Sequence, residues 1–71
     1  MADEKLMLKA NTLGGMNAFV LDYIGDENVI EMWQRNAIPD DCDEEMLMEI
    51  AEDDELFYDC ANWFAKCLRC M

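Results

Sequence analysis

The sequence predicts an all-α fold, a compact bundle of three to four short helices forming one small domain over residues 1–71. Three observations predict it. Apolar residues recur at helical spacing in successive stretches. Aspartate, glycine and proline stand between those stretches, where helices are capped and ended. The alternation of Val, Ile and Thr with polar residues that indicates a β-sheet is absent.

The first ten residues carry the weakest pattern. Leu6-Met7-Leu8 is a short apolar run flanked by Lys5 and Lys9. Periodicity does not decide whether such a run is a strand, an extended arm or a helical turn. We expect residues 1–10 to be extended or arm-like.

A first helix is expected to follow this segment. Asn11 and Thr12 are suitable N-caps. Gly14-Gly15 weakens the first turn by about 1 kcal/mol per glycine relative to alanine, so a start nearer Asn17 is expected. The apolar stripe of this helix comprises Leu13, Met16, Phe19, Val20, Tyr23 and Ile24.

A second helix is expected after Gly25, which suits the left-handed residue that ends a helix. Asp26 is the N-cap candidate, with Glu27 in the first turn and Arg35 near the last. Pro39 should end this helix, because the residue before a proline is pushed out of the helical region. The buried face comprises Val29, Ile30, Trp33 and Ala37.

Two more helices are expected in the C-terminal half. One of Asp40, Asp41 and Asp43 caps the third helix, and Asp53 caps the fourth. A single continuous helix is disfavoured, because it would place Asp54 at an apolar position. The expected apolar faces are Met46, Leu47, Ile50 and Ala51 on the third helix and Leu56, Phe57, Cys60, Trp63, Phe64, Cys67, Cys70 and Met71 on the fourth, which ends near Lys66 and Arg69.

Residues 40–59, the acidic segment, hold eleven of the chain's seventeen acids, and no base lies between Arg35 and Lys66. Such a density of like charge costs stability by self-repulsion. Capping and first-turn positions of two helices account for about half of these acids. The rest form either a plain solvated face or a surface that meets a basic partner. Two short helices rising about 1.5 Å per residue offer charge at a density comparable with duplex DNA, which carries one charge per roughly 1.7 Å.

The acids expected at such a contact lie mainly around the junction of the third and fourth helices. They are Glu49, Glu52, Asp53, Asp54, Glu55 and Asp59, extended by Asp40, Asp41, Asp43, Glu44 and Glu45.

Charge also excludes classes of partner. The formal net charge is −12, with five bases, whereas direct nucleic-acid binding and binding to an anionic membrane both require a basic face. The chain shows neither a signal-peptide pattern nor an apolar run of membrane-spanning length, so the cytoplasm is the expected location. The four cysteines are then expected to be reduced thiols.

The sequence holds no convincing catalytic, cofactor or metal motif. It has no histidine and no Gly-rich phosphate loop, so we expect no enzyme activity and no cofactor. A calcium loop over residues 41–52 would have Met46 where the sharp turn needs glycine, so no metal is expected. Cys67 and Cys70 have C-x-x-C spacing but fall at a helix C-terminus, the end that does not activate a thiol. Cys60 and Cys67 are expected in the core.

In size and charge the chain resembles the small, strongly acidic, helix-rich proteins of phages and mobile elements that inhibit restriction or CRISPR effectors. The resemblance implies an inhibitor or nucleic-acid mimic that blocks a basic, nucleic-acid-binding protein surface. The alternative is a structural or regulatory helical module that homodimerises or assembles through an apolar face of methionines and tryptophans. In that case Trp33 and Trp63 are the interface residues, Met48 is a candidate for exposure, and the acids only keep the chain soluble.

Overall fold

In the computed structural model, which describes residues 4–70, the chain is helical almost throughout. The helices are α1 (Glu4–Ala18), α2 (Glu27–Asn36), α3 (Glu44–Glu52) and α4 (Asp54–Arg69), and a π-helical segment (Phe19–Ile24) continues α1. No strand occurs among residues 4–70. The prediction of a compact all-α bundle is confirmed.

The expected N-terminal arm is wrong for residues 4–10, which form the first turns of α1; residues 1–3 lie outside the described residues. Tertiary contacts explain the difference. Leu6 and Ala10 pack partly buried against the core. Lys9 Nζ lies 2.6 Å from Asp54 Oδ1 of α4. A short apolar run thus becomes helical because one of its faces is covered.

The expected start of the first helix near Asn17 is also wrong. α1 runs through Gly14 and Gly15 without a break. Thr12 does not act as a cap, since its Oγ1 donates a 2.8 Å hydrogen bond to the carbonyl of Leu8 inside the helix. Burial of Leu13 and Met16 on either side of the glycine pair outweighs the weak helix propensity of the pair.

The long first helix ends at Gly25, as predicted. Gly25 has φ 64° and donates its N–H to the carbonyl of Val20 at 3.1 Å, closing the wider turn of the π-helical segment. This left-handed conformation carries no penalty for glycine but is strained for residues with a Cβ.

Three aspartates cap the helices that follow, as the sequence predicts. Asp26 accepts a hydrogen bond from the N–H of Asn28 at 2.9 Å, and Asp43 accepts one from the N–H of Met46 at 2.9 Å. Asp53 accepts from two N–H groups, those of Glu55 and Leu56. Each such cap contributes about 1 kcal/mol. Asp53 alone separates α3 from α4, with extended backbone at φ −95° and ψ 110°.

The core is centred on Trp33, which is fully buried. Its Nε1 donates a 2.9 Å hydrogen bond to Asn17 Oδ1, and its ring meets that of Phe64 edge-on at 6.1 Å between centroids. No polar or charged side chain among the described residues is fully buried. The buried core residues are Leu13, Met16, Val20, Val29, Trp33, Ile38, Ala51, Cys60 and Cys67.

Several helices bury fewer of their apolar residues than the sequence predicts. Met46 and Leu56 are 37% and 46% exposed, and Cys70 is exposed as well. Met71 lies outside the described residues. Conversely, Met48 is half-buried, although its position off the stripe made it a candidate for exposure. The nine-residue α3 packs against α1 and α4 only, so part of its apolar surface stays uncovered.

Candidate protein-interaction surface

The acidic segment folds into the turn before α3, the whole of α3 and the first turns of α4. All eleven of its acids are exposed. The inward faces of both helices are apolar, with Ala51 and Cys60 buried, so every carboxylate is displayed on the outside. The structure therefore brings the sequence-predicted site residues together on adjoining elements.

Four of these acids have partners within the protein. Asp43 and Asp53 accept the capping hydrogen bonds. Asp54 pairs with Lys9, although its side chain stays 74% exposed. Asp40 Oδ1 accepts a longer, 3.4 Å hydrogen bond from Gln34 Nε2. These acids position the local structure, and their charge is in part already compensated.

The other seven acids make no side-chain hydrogen bond or ion pair within residues 4–70 and point into solvent. Three of them, Glu45, Glu49 and Glu52, follow one another on one face of α3 at axial rises of about 6 Å and 4.5 Å. Glu55 and Asp59 lie one turn apart on α4. The full set is Asp41, Glu44, Glu45, Glu49, Glu52, Glu55 and Asp59.

Apolar side chains are exposed between these acids. Tyr58 is 64% exposed and Leu56 is 46% exposed, both on the first turns of α4. Tyr58 packs edge-on against Phe57, with ring centroids 5.9 Å apart. Tyr58 was not among the site residues predicted from the sequence. Its signal was available, because position 58 falls off the stripe of residues 57, 60 and 64.

A second feature beside the acidic segment also went unrecognised in the sequence. An open groove of about 590 Å³ runs between α1 and α3. We call it the α1–α3 groove. Its signal in the sequence was the presence of two small residues one turn apart, Ala10 and Gly14, on a single face of α1. The residues that line it are Met7, Ala10, Asn11, Gly14, Glu44, Leu47 and Met48.

The two tryptophans do not form an open apolar face. Trp33 is wholly inside the core. Trp63 is half-buried, and Lys66 Nζ lies over its ring, 4.3 Å from the centroid. The interface that the homodimer hypothesis placed at these residues is therefore mostly covered by the protein itself.

Three of the four cysteines, Cys42, Cys60 and Cys67, lie in environments that suppress thiolate formation. Burial, followed by the charge of Asp59, raises the pKa of the Cys60 thiol. Burial also raises the pKa of Cys67, with a smaller effect of Cys70. Burial and the charges of Asp43 and Asp41 do the same for Cys42. Cys67 is buried and Cys70 is exposed, so only one thiol of the C-x-x-C pair faces solvent.

This arrangement predicts graded thiol reactivity. A thiol-specific reagent at neutral pH should modify Cys70 quickly, Cys42 more slowly, and Cys60 and Cys67 only on unfolding. A time course with and without urea measures this. Rapid modification of all four thiols in the native protein would contradict the burial.

The same burial makes stability depend on pH at the alkaline end. Cys60 and Cys67 have a raised pKa in the folded state. The stability that their neutral thiols contribute is therefore fully present below the ordinary thiol pKa of 9.0. It is lost as the pH rises through the raised folded-state values. Urea midpoints measured across this range should therefore fall less steeply for a Cys60→Ala/Cys67→Ala variant than for the native chain.

No metal centre is found among the acids that the structure describes. Among residues 4–70 no group of three or more acidic or cysteine side chains is placed to hold an ion. The segment that matches calcium-loop spacing is largely the regular helix α3, which cannot wrap around a cation. No helix in the described part of the chain combines the length and apolar character needed to cross a membrane.

Comparison with protein-family models, with curated proteins and with solved structures finds no match to this chain.

Proposed function

We propose that this protein binds the nucleic-acid-binding surface of a basic protein and blocks it, as inhibitors of the anti-CRISPR and anti-restriction type do. The supporting observation is the set of seven exposed acids on α3, α4 and the preceding turn that have no partner within residues 4–70. No base lies among them in the sequence. The proposed site of action is the cytoplasm, where such effectors meet nucleic acid.

Rigidity supports a mimic rather than a flexible acidic tract. α3 and α4 are each capped by an aspartate. The ion pair between Lys9 and Asp54 ties the start of α4 to α1. Carboxylates held on ordered helices lose less conformational entropy on binding than those on a disordered tail.

Charge and apolar contact have separate roles in this proposal. The acidic face accelerates encounter with a basic surface and disfavours acidic partners. Tyr58 and Leu56, exposed among the acids, supply the apolar anchors that hold the complex. Tyrosine is among the residue types that dominate binding energy in protein interfaces.

The test changes acids that neither cap a helix nor form an ion pair. Neutralising Asp53 would remove a cap, and neutralising Asp54 would remove an ion pair, so neither change is clean. The informative variant is Glu49→Gln/Glu52→Gln/Asp59→Asn. Its matched control, Glu4→Gln/Asp22→Asn/Glu27→Gln, removes three exposed charges outside the acidic segment and leaves the ion pair between Arg35 and Glu31 in place.

Both variants are compared with the native protein for inhibition of DNA binding and cleavage by a panel of CRISPR nucleases and restriction enzymes. We expect the native protein and the control to inhibit at least one enzyme. The Glu49, Glu52 and Asp59 variant should need about tenfold more protein, and its inhibition should depend less on salt. Equal inhibition by both variants, or none by the native protein, would contradict the proposal.

A further inference from the structure

We propose that the α1–α3 groove receives the apolar side chains of a basic amphipathic helix belonging to the partner. This inference rests on the proposed function, because it names the element of the basic partner that the protein recognises. It adds a binding site outside the exposed face of the acidic segment.

The shape of the groove suits an inserted side chain. On α1 its wall is a single helical face, with Met7 and Asn11 alternating with the smaller Ala10 and Gly14. A Cβ built on Gly14 meets no atom within 4 Å, so the space above this residue is open. Because Ala10 and Gly14 have small side chains, a partner can approach the backbone of α1 closely.

The lining is adaptable and mostly apolar. Met7 and Met48 stand on opposite walls, with Leu47 beside Met48 on α3. Flexible thioether side chains adjust to inserted groups of different shape. Met7 is 47% exposed, and the neighbouring Leu8 is 68% exposed. Exposed apolar surface on α1 thus extends beyond the groove. An apolar partner that covers it would release water from its own surface and from that of the protein.

The charge around the groove specifies a basic partner. Among the described residues that line the groove, Glu44 is the only acidic or basic one, and it belongs to the acidic segment. Lys5 and Lys9 of α1 line a different, smaller pocket together with Glu52. A partner seated in the groove therefore meets the Glu44 carboxylate and no basic side chain among the described lining residues, so its flanking residues should be Lys or Arg.

The walls favour a helix as the occupant. The groove lies between two packed helices, and an amphipathic helix presents apolar residues at the one-turn spacing of such a trough. One face of that helix would enter the groove, and its basic flanks would reach Glu44 and the outer acids of α3.

The experiment exploits two adjacent glycines. Gly14 lines the groove, whereas Gly15 is exposed outside it, and neither would crowd an atom within 4 Å if it gained a Cβ. Gly14→Leu fills the groove. Gly15→Leu adds the same side chain on the same helix and is the matched control. Both changes raise helix propensity, so both variants should fold.

The probe is a synthetic helical peptide of Leu and Lys, about 14 residues or four turns long. A Lys/Ser peptide of equal charge and an uncharged Leu/Gln peptide serve as comparisons. Fluorescence anisotropy of the labelled peptides gives the Kd. We expect the native protein and Gly15→Leu to bind the Leu/Lys peptide more tightly than either comparison peptide. Gly14→Leu should weaken binding by about tenfold or more, because a buried leucine-sized contact is lost.

Several outcomes would overturn the inference. Equal binding by Gly14→Leu and Gly15→Leu shows that the peptide does not use the groove. If the Lys/Ser peptide binds as tightly as the Leu/Lys peptide, charge alone determines binding. Equal binding of the Leu/Gln peptide shows that the groove does not select a basic helix. Self-association of the native protein that Gly14→Leu abolishes identifies a second copy as the occupant.

The two proposals can fail separately. If the groove is unused but neutralising Glu49, Glu52 and Asp59 still abolishes inhibition of an effector, only the groove inference falls. If Gly14→Leu weakens the peptide but no effector is inhibited by the native protein, the groove binds a basic helix and the proposed function falls.

Discussion

Replacing Trp33 with alanine is expected to lower the free energy of unfolding by about 3–5 kcal/mol, as other large-to-small changes of buried aromatics do. A core in a chain this short supplies only about 3–5 kcal/mol of net stability. The variant should therefore be largely unfolded without denaturant. Trp33 has no exposed surface, and it joins α2 to both the N-terminal helix and α4.

Graded variants separate the contributions of this residue. Asn17→Ala keeps the indole but leaves its N–H without the 2.9 Å acceptor, which should cost about 1–3 kcal/mol. Tyr58→Ala removes an aromatic ring that is 64% exposed and should change stability by less than about 0.5 kcal/mol. Urea unfolding followed by far-UV circular dichroism measures all three variants. A Trp33→Ala protein as stable as Tyr58→Ala would contradict the described core.

Salt is expected to stabilise the native protein markedly. Like charges about 6 Å apart repel by roughly 0.7 kcal/mol per pair in unscreened water. α3 alone carries two successive pairs, Glu45 with Glu49 and Glu49 with Glu52, and α4 adds Glu55 with Asp59. The screening length falls from about 30 Å at 0.01 M salt to about 3 Å at 1 M, so a gain of about 1–2 kcal/mol is expected over this range.

The same charge-neutralised variants test this expectation. Glu49→Gln/Glu52→Gln/Asp59→Asn disrupts all three pairs, removing both members of the Glu49–Glu52 pair and one member of each of the others. It should be more stable at low salt, with a smaller response to added salt. Glu4→Gln/Asp22→Asn/Glu27→Gln changes the net charge equally but leaves those pairs intact. Urea midpoints measured across a salt series give both responses. A salt response that is identical in the two variants would show that net charge, and not the local pairs, sets the repulsion.

The helix boundaries that the sequence predicts correctly depend on local chemistry. Asp26, Asp43 and Asp53 cap because their short carboxylates reach nearby N–H groups, whatever the rest of the chain does. Gly25 ends a helix because a left-handed φ is easy for glycine. Such interactions span only a few residues and can be recognised from sequence alone.

The N-terminal helix could not be predicted in the same way. Its residues carry poor local signals, a glycine pair and a brief apolar run, and its helical state depends on contacts with α3 and α4. The bond from Lys9 to Asp54 joins positions 45 residues apart. No periodicity within residues 1–18 contains that information.

The two candidate sites also differ in whether the sequence alone predicts them. The eleven acids of the acidic segment follow from the sequence, as does their exposure, because charged groups stay in water unless they are paired. The α1–α3 groove does not, since its two walls come from residues 7–14 and 44–48 and exist only when the two helices pack.

The sequence by itself thus determined the all-α class, the caps, the turn at Gly25 and a negative surface, because each depends on residue type or on neighbours within a few positions. Only the tertiary structure decided that residues 4–10 belong to α1, that Trp33 is buried and that a groove lies beside the acids. Those features depend on which apolar faces cover one another, and that is settled by packing between distant parts of the chain.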